Sequence, residues 1–221
     1  LTVAHLSDLH VASLGRRESR LLRFLDEERP DVIVITGDSV SDEDVQTDAA
    51  YVPVRALLSQ LRAPLGVFAV RGNWENWRRL RGERAFYEEA GVTLLVNEAA
   101  PVRDDVWVLG LDDAANGTPE PDRARERVPD GVFRIVLFHS PVAFARVAGR
   151  EELALAGHTH GGQVRIPFLP PLWMPPGADG YVEGWYEKQG TRLYVSRGIG
   201  TSIAPVRLFC RPELAIHTLG P

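Results

Sequence analysis

The run Val32-Ile33-Val34-Ile35-Thr36 constrains the fold more than any other stretch of this chain. All five residues are β-branched, which favours strand, and no polar residue alternates with them. A strand with no face left for water belongs inside a layered α/β arrangement. The flanking sequence agrees. Thr2 to Leu6 reads as a strand, and Arg16 to Arg29 as a helix with Leu21, Leu22, Phe24 and Leu25 on one side, stopped by Pro30. Val45 to Leu61 reads as helix, with Pro53 marking its start or a kink. Leu65 to Val70 reads as strand and Arg78 to Ala90 as helix.

The second half is richer in strands, expected at Val92 to Val96, Val106 to Leu111, Phe133 to Phe138, Leu153 to Ala156, Val164 to Ile166, Leu193 to Val195 and Leu214 to Thr218. A short helix is expected at Val142 to Val147. Such a pattern predicts sheet packed on sheet with helices outside, in one domain spanning 1–221. Pro167 to Gly180 is too proline-rich for either element and reads as a semi-rigid surface loop.

The chain has 221 residues, 44% of them hydrophobic, enough for a sizeable core. Its net charge of -5 and its lack of a long basic block argue against a nucleic-acid partner. Cys210 is the only cysteine, so an internal disulfide is excluded and the compartment is not legible from redox chemistry. No apolar stretch reaches the roughly 18 residues of a spanning helix. Because the chain opens at Leu1 inside an apolar run, we expect natural sequence, with any targeting segment, to precede it.

Five short segments carry the chemistry, each at the end of an expected strand: Ser7-Asp8-Leu9-His10, Gly37-Asp38, Gly72-Asn73, Phe138-His139-Ser140 and Gly157-His158-Thr159-His160-Gly161-Gly162. Ligands commonly bind outside the carboxyl ends of strands in α/β sheets. Asp8 and His10 are two apart, so in an extended segment they project to one side, and His158 with His160 repeats the spacing. Imidazole, carboxylate and amide donors suit Mn2+ first, with Fe or Zn as alternatives, and not a thiolate-seeking metal. Two divalent cations would outweigh the charges of Asp8 and Asp38, leaving a positive centre that attracts phosphate.

The ordered series D-x-H, G-D, G-N, H and G-H-x-H resembles the calcineurin-like metallophosphoesterase superfamily. The strings TGDSVSD, GHTHGGQVRIP and YVSRGIGTS resemble its bacterial YkuE/YaeI-like branch, which includes phosphodiesterases and a hydrolase of UDP-diacylglucosamine. The likeness covers nearly the whole chain. It implies a four-layer α/β/β/α sandwich of two mixed sheets flanked by helices. It further implies that Asp8, His10 and His160 hold one metal, that Asn73, His139 and His158 hold the other, and that Asp38 bridges both beside a nucleophilic hydroxide. Asp38, Asn73 and His139 are thereby the catalytic candidates. Work at a bacterial envelope or membrane surface is also implied.

One position departs from the superfamily pattern. Where G-N-H-D or G-N-H-E is usual, this chain has Gly72-Asn73-Trp74-Glu75. The usual histidine is thought to contact the phosphate and protonate the leaving oxygen, and an indole N–H is no usable acid near neutral pH. The expected substrate is therefore a diphosphate-linked or otherwise activated ester, a nucleotide sugar or lipid-linked phosphate among them. A scaffold that binds metal without turnover is the alternative. Trp74, Arg71 and Arg197 are the candidate substrate contacts, while Arg78, Arg79 and Arg81 read as a solvated helix face. Trp74, Trp77, Trp173, Trp185 and Tyr181 either line an aromatic pocket or pack the loops. Phe168, Leu169, Leu172, Trp173 and Met174 either meet lipid in a peripheral membrane contact or pack the loop against the body. Asp112 and Asp113 read as turn formers, and His5 and His217 as structural histidines. Oligomeric state is not addressed by the sequence, and a zinc peptidase is a remote reading because no H-E-x-x-H helix is present.

Overall fold

The computed structural model describes residues 1–41 and 48–220. Two sheets lie face to face. The first has strands β1 (Thr2–Leu6), β2 (Val32–Thr36), β3 (Val67–Val70) and β4 (Thr93–Leu94), mutually parallel, with β11 (Ala215–Thr218) antiparallel on the edge in the order β11-β1-β2-β3-β4. The second runs β5-β6-β7-β8-β10-β9. Its strands β6 (Val106–Gly110), β7 (Phe133–Leu137), β8 (Leu153–Ala156) and β10 (Thr191–Val195) are parallel, and the edge strands β5 (Glu98–Arg103) and β9 (Gly184–Lys188) are antiparallel.

The β-branched run behaves as its composition requires. All of β2 is buried, and its side chains alternate between two cores. Val32 and Val34 enter the layer between the sheets, where they join Phe68 and Val70 of β3, Ile135 and Leu137 of β7, and Leu153 and Leu155 of β8. Ile33 and Ile35 point the other way, into a core made with α1 (Arg16–Glu28), α2 (Tyr51–Leu58) and α4 (Glu83–Glu89). A third core covers the outer face of the second sheet, where Val136, Phe138 and Ala154 meet Ala124 of α5 (Pro121–Arg125) and Phe144 and Val147 of α6 (Phe144–Val147). Helix, sheet, sheet and helix are thus stacked in four layers.

Several expected boundaries move. The helix expected over 78–90 begins only at Glu83, as α4, because Gly82 adopts a left-handed φ of 74° just before it, and a separate short helix, α3 (Asn73–Trp77), precedes it. The start of the helix expected over 45–61 lies outside the described residues, and Pro53 sits in the first turn of α2, where its missing N–H has no helical partner to lose. The strand expected over 164–166 reduces to one bridge between Val164 and Leu208. Residues 167–180 form a loop with neither helix nor strand.

The layer between the sheets is the part both halves share. Ile135→Ala, at a fully buried position there, is expected to cost about 2–5 kcal/mol, read as a lowered midpoint in urea unfolding.

Candidate metal centre

The five motif segments follow β1, β2, β3, β7 and β8, at the carboxyl ends of parallel strands drawn from both sheets. The crossing from strand to loop is short in each case, so the two sheets deliver their chemistry to one edge of the sandwich. Asp8, His10 and His160 bring ligand atoms within 4.8 Å of one another, and Asp38, His139 and His158 do the same.

Side-chain direction is not set by strand pleating, as the two-residue spacing predicts. Asp8, His10, Asp38, His158 and His160 all have left-handed backbone, with φ of 50°, 42°, 53°, 72° and 50°. The chain leaves the pleat at each strand end, and the left-handed turn aims the donor inward. Such residues cost about 1–2 kcal/mol each for an L-amino acid and cluster where a site over-determines them.

Asp38 sits between the two groups. Its Oδ2 is 3.2 Å from His139 Nε2 and 3.8 Å from His10 Nε2, while its Oδ1 accepts from the Trp74 amide at 3.0 Å. Asp8 Oδ1 lies 3.3 Å from His160 Nε2, and the Asp8 carboxylate accepts from the Ser7 hydroxyl and the His158 amide. Asn73 Oδ1 is 3.0 Å from His139 Nε2, which is also 3.1 Å from His158 Nδ1. His10 Nε2 and His160 Nε2 face each other at 3.2 Å. The backbone carbonyls of Thr36 and Pro176 orient His139 Nδ1 and His158 Nε2.

These contacts point nitrogen lone pairs and carboxylate oxygens at each other with too few protons to satisfy them. Divalent cations fit such a donor set, and the residues present are suited to hold them.

Protonation follows the same logic. Burial drives His10 well below the ordinary histidine value and lowers both His158 and His160 to about 4, so all three are neutral near pH 7. Burial also works against a charge on His139, yet the Asp38 carboxylate, with Asp8 behind it, holds its pKa well above 6.5. Burial raises Asp38, with His139 opposing; it would raise Asp8 too, but the surrounding imidazoles and Ser7 keep that carboxyl well below the usual range.

Glu75 anchors this arrangement and carried no assigned role in the sequence reading. It is fully buried and accepts four backbone N–H bonds: from Asp38 at 2.9 Å, Ser39 at 2.7 Å, Val40 at 3.3 Å and Gly72 at 2.8 Å. One carboxylate thus ties the Asp38 turn to the Asn73 turn. Its sequence signal is the spacing Gly72-x-x-Glu75 at the start of α3, a capping-box pattern. The Asp38 and Asn73 turns touch closely; a Cβ on Gly72 would lie 2.0 Å from Asp38 Oδ1, so only glycine fits. Arg207 and Cys210 were likewise missed. Both hydrogen-bond the His160 carbonyl, and Arg207 also reaches the carbonyls of Arg197 and Gly200.

A cleft of about 310 Å³ opens over both groups, bounded by Trp74, Trp77 and Trp173 together with Asn116 and Ile203. Trp74 packs edge-on against His10 and Trp77, and the Arg78 guanidinium covers its face. Trp185 and Tyr181 lie elsewhere: Trp185 packs edge-on with Tyr194 and His217, and Tyr181 with Phe144 and Tyr186. Neither candidate arginine lines the cleft. Arg71 is paired with Glu83 at 2.5 Å and Arg197 with Glu213 at 3.2 Å. Asp112 and Asp113 cap backbone amides of the 113–118 turn, as their positions predict. His5 bonds the Thr36 hydroxyl at 2.8 Å, a structural role.

The profile of calcineurin-like phosphoesterases matches residues 1–162. The chain belongs to that family. It is 31% identical to the metallophosphoesterase YkuE of Bacillus subtilis, over 98% of this chain and 78% of YkuE. It is 32% identical to the phosphodiesterase YaeI of Escherichia coli, over 87% of this chain and 72% of YaeI. Among solved structures, TT1561 of Thermus thermophilus superposes with a TM-score of 0.60 at 14% identity, covering 90% of this chain and 89% of that one, a likeness of fold. As a calcineurin-like phosphoesterase the chain is a metal-dependent phosphoester hydrolase, and its two buried donor groups could each hold a metal ion.

Two outcomes follow for metal loading. Glu75→Gln presents an amide N–H₂ to backbone donors and frees the Asp38 turn, so cation affinity is expected to fall about 10–100-fold in titration calorimetry. His139 must lose its proton to become a ligand. Since that proton is held above pH 6.5 in the cation-free protein, Mn2+ binding at pH 7 is expected to release it, and affinity to weaken as pH falls. The check is a binding enthalpy that varies with the ionisation enthalpy of the buffer.

Proposed function

We propose that this phosphoesterase hydrolyses a phosphodiester or diphosphate bond with two divalent cations, Mn2+ first among them. Asp8, His10 and His160 hold one, Asn73, His139 and His158 the other, and Asp38 touches both. The observation that carries this reading is the position of Asp38 Oδ2, within 4 Å of a histidine from each group. When bound, the cations supply positive charge to the phosphate and lower the pKa of water.

The chain's own residues set what else the site does. Asn73 and His139 keep their donors together at 3.0 Å. The Trp74 amide holds Asp38 Oδ1 in place, so the other carboxylate oxygen stays aimed at both groups. The three tryptophans edge the cleft, with Trp77 and Trp173 more than half exposed. They also offer flat apolar surface to a nucleobase or an acyl chain, which supports a nucleotide-sugar or lipid-linked substrate.

The leaving group is restricted. The titratable side chains lining the cleft, among the described residues, are Asp38, His158 and His160, and all three belong to the cation groups. Nothing else there can protonate a departing alkoxide. A diphosphate or aryl leaving group needs no such help. YaeI carries the name phosphodiesterase, which supports the diester side of this reading.

With Mn2+ added, the protein is expected to cleave an aryl phosphodiester and a diphosphate substrate much faster than a simple alkyl monoester. Trp74→His is expected to raise alkyl-ester turnover by about 10²-fold or more and to leave aryl-ester turnover nearly unchanged, because only the former gains from a general acid. Faster turnover of alkyl monoesters by the unmodified protein would defeat the leaving-group argument. Cations bound with no turnover of any ester would make the site a binding scaffold.

A further inference from the structure

We propose that two apolar loops beside the cleft dock this protein on an anionic lipid bilayer, holding the cleft mouth at headgroup level. Among the described residues, six of the fourteen large exposed apolar side chains fall on two neighbouring segments. Phe168, Leu169 and Leu172 stand on the proline-rich loop, and Val206, Leu208 and Phe209 on the segment before Cys210. All are between 47% and 104% exposed, with Phe168 the extreme. Single exposed apolar residues are ordinary, but a contiguous group beside a functional cleft marks an interaction surface.

The two segments are one surface. The Arg165 amide donates to the Leu208 carbonyl at 2.9 Å, and the Leu208 amide to the Gln163 carbonyl at 3.0 Å. The Gln163 side chain then reaches the carbonyls of Ser202 and Ala204. Each segment continues into the cleft wall, one through Trp173 and the other through Ser202.

Shape and charge select the occupant. Phe168 is as exposed as an isolated residue, so it projects from the protein instead of lining a groove that a peptide could fill. Beyond the second loop, Arg16, Arg20 and Arg211 share a depression with Ile199 and Leu214. None of these three arginines is within ion-pair distance of a carboxylate among the described residues. Glu213, in the same depression, is committed to Arg197 and Tyr194. Arg17 borders both this depression and the one beside Thr201 and Ala204, so the basic flank is continuous with the apolar loops. Apolar tips with a basic flank are the two signals that give stable peripheral anchoring. Because the whole chain carries a net charge of -5, an anionic surface repels its other faces and orients it by this one. No helix among the described residues is long and apolar enough to cross a membrane.

Docking stands apart from the hydrolytic reading; presenting a headgroup phosphate to the cations rests on it. The test is flotation with vesicles of phosphatidylglycerol and phosphatidylcholine, or of phosphatidylcholine alone. It compares the unmodified protein with the triple variant Phe168→Ser, Leu172→Ser, Phe209→Ser, and follows soluble aryl-phosphodiester turnover in parallel. The unmodified protein is expected to float with the anionic vesicles and the variant to partition about tenfold less or weaker, with soluble turnover and circular dichroism retained. Failure of the unmodified protein to float with anionic vesicles, equal flotation of the variant, or equal flotation with phosphatidylcholine alone would overturn the proposal. Flotation without any ester turnover would leave docking standing and remove the hydrolytic reading instead.

Discussion

Everything in this structure answers to one electrostatic burden: two carboxylates and four imidazoles packed out of water at one edge of a sandwich. Asp8 and His139 are fully buried, and Asp38, His10, His158 and His160 nearly so. Their ligand atoms approach to between 3.1 and 3.8 Å, where lone pairs repel and burial penalises any charge that would relieve them. Left alone, such a group would splay apart. The scaffold prevents this by arriving from behind. Parallel strands in both sheets end at the same edge, and hydrogen bonds accepted by Glu75 and by the Thr36 and Pro176 carbonyls, with one donated by Ser7, fix the turns and rings that carry the donors. The frame holds the donors together from behind, and a bound cation would relieve their repulsion.

The left-handed residues show how local backbone serves that burden. A strand alternates its side chains between faces, and both faces of these strands are already committed to cores. A donor on the pleat would be lost in hydrophobic packing. Turning the backbone through positive φ at Asp8, Asp38 and His158 takes the side chain off both faces and over the strand end. The conformational cost falls on Asp and His, which with Asn tolerate that region best among non-glycine residues. Glycines fill the neighbouring positions where even a Cβ would collide, as Gly72 does against Asp38.

Much of this was legible in the residues, and the rest was hidden for identifiable reasons. The run 32–36 announced a doubly covered strand, and the order of motifs announced the converging loops. The two-residue spacings pointed to the right pairs for the wrong reason, since φ is not written in spacing. Strands β5 and β9 escaped notice because they are edge strands: β5 contains Pro101 beside a register shift, and β9 is largely exposed, so neither carries a buried-strand pattern. Helix α3 escaped because, only five residues long, it has no periodicity to read. Arg71 and Arg197 looked available because nothing local reveals that Glu83 and Glu213, respectively 12 and 16 residues away, would claim them. Pairing of that kind is a tertiary fact.

Trp74 joins the electrostatics to the shape of the cleft. A histidine there would add a proton donor, and also another hydrated, titratable group beside an already crowded set of imidazoles. The indole adds neither. Its amide still serves Asp38, so the backbone contribution of the position survives the change of side chain. Its ring closes over His10 and meets Trp77, turning one side of the cleft from polar to apolar. The exchange weakens help for the leaving group and strengthens the field that acts on the phosphate, because apolar walls lower the local dielectric. A site altered in that direction gains most with esters whose leaving group is already stable and whose remaining parts are themselves apolar or flat. Under the proposed function, the wall and the missing acid would favour the same kind of substrate, one by contact and the other by chemistry.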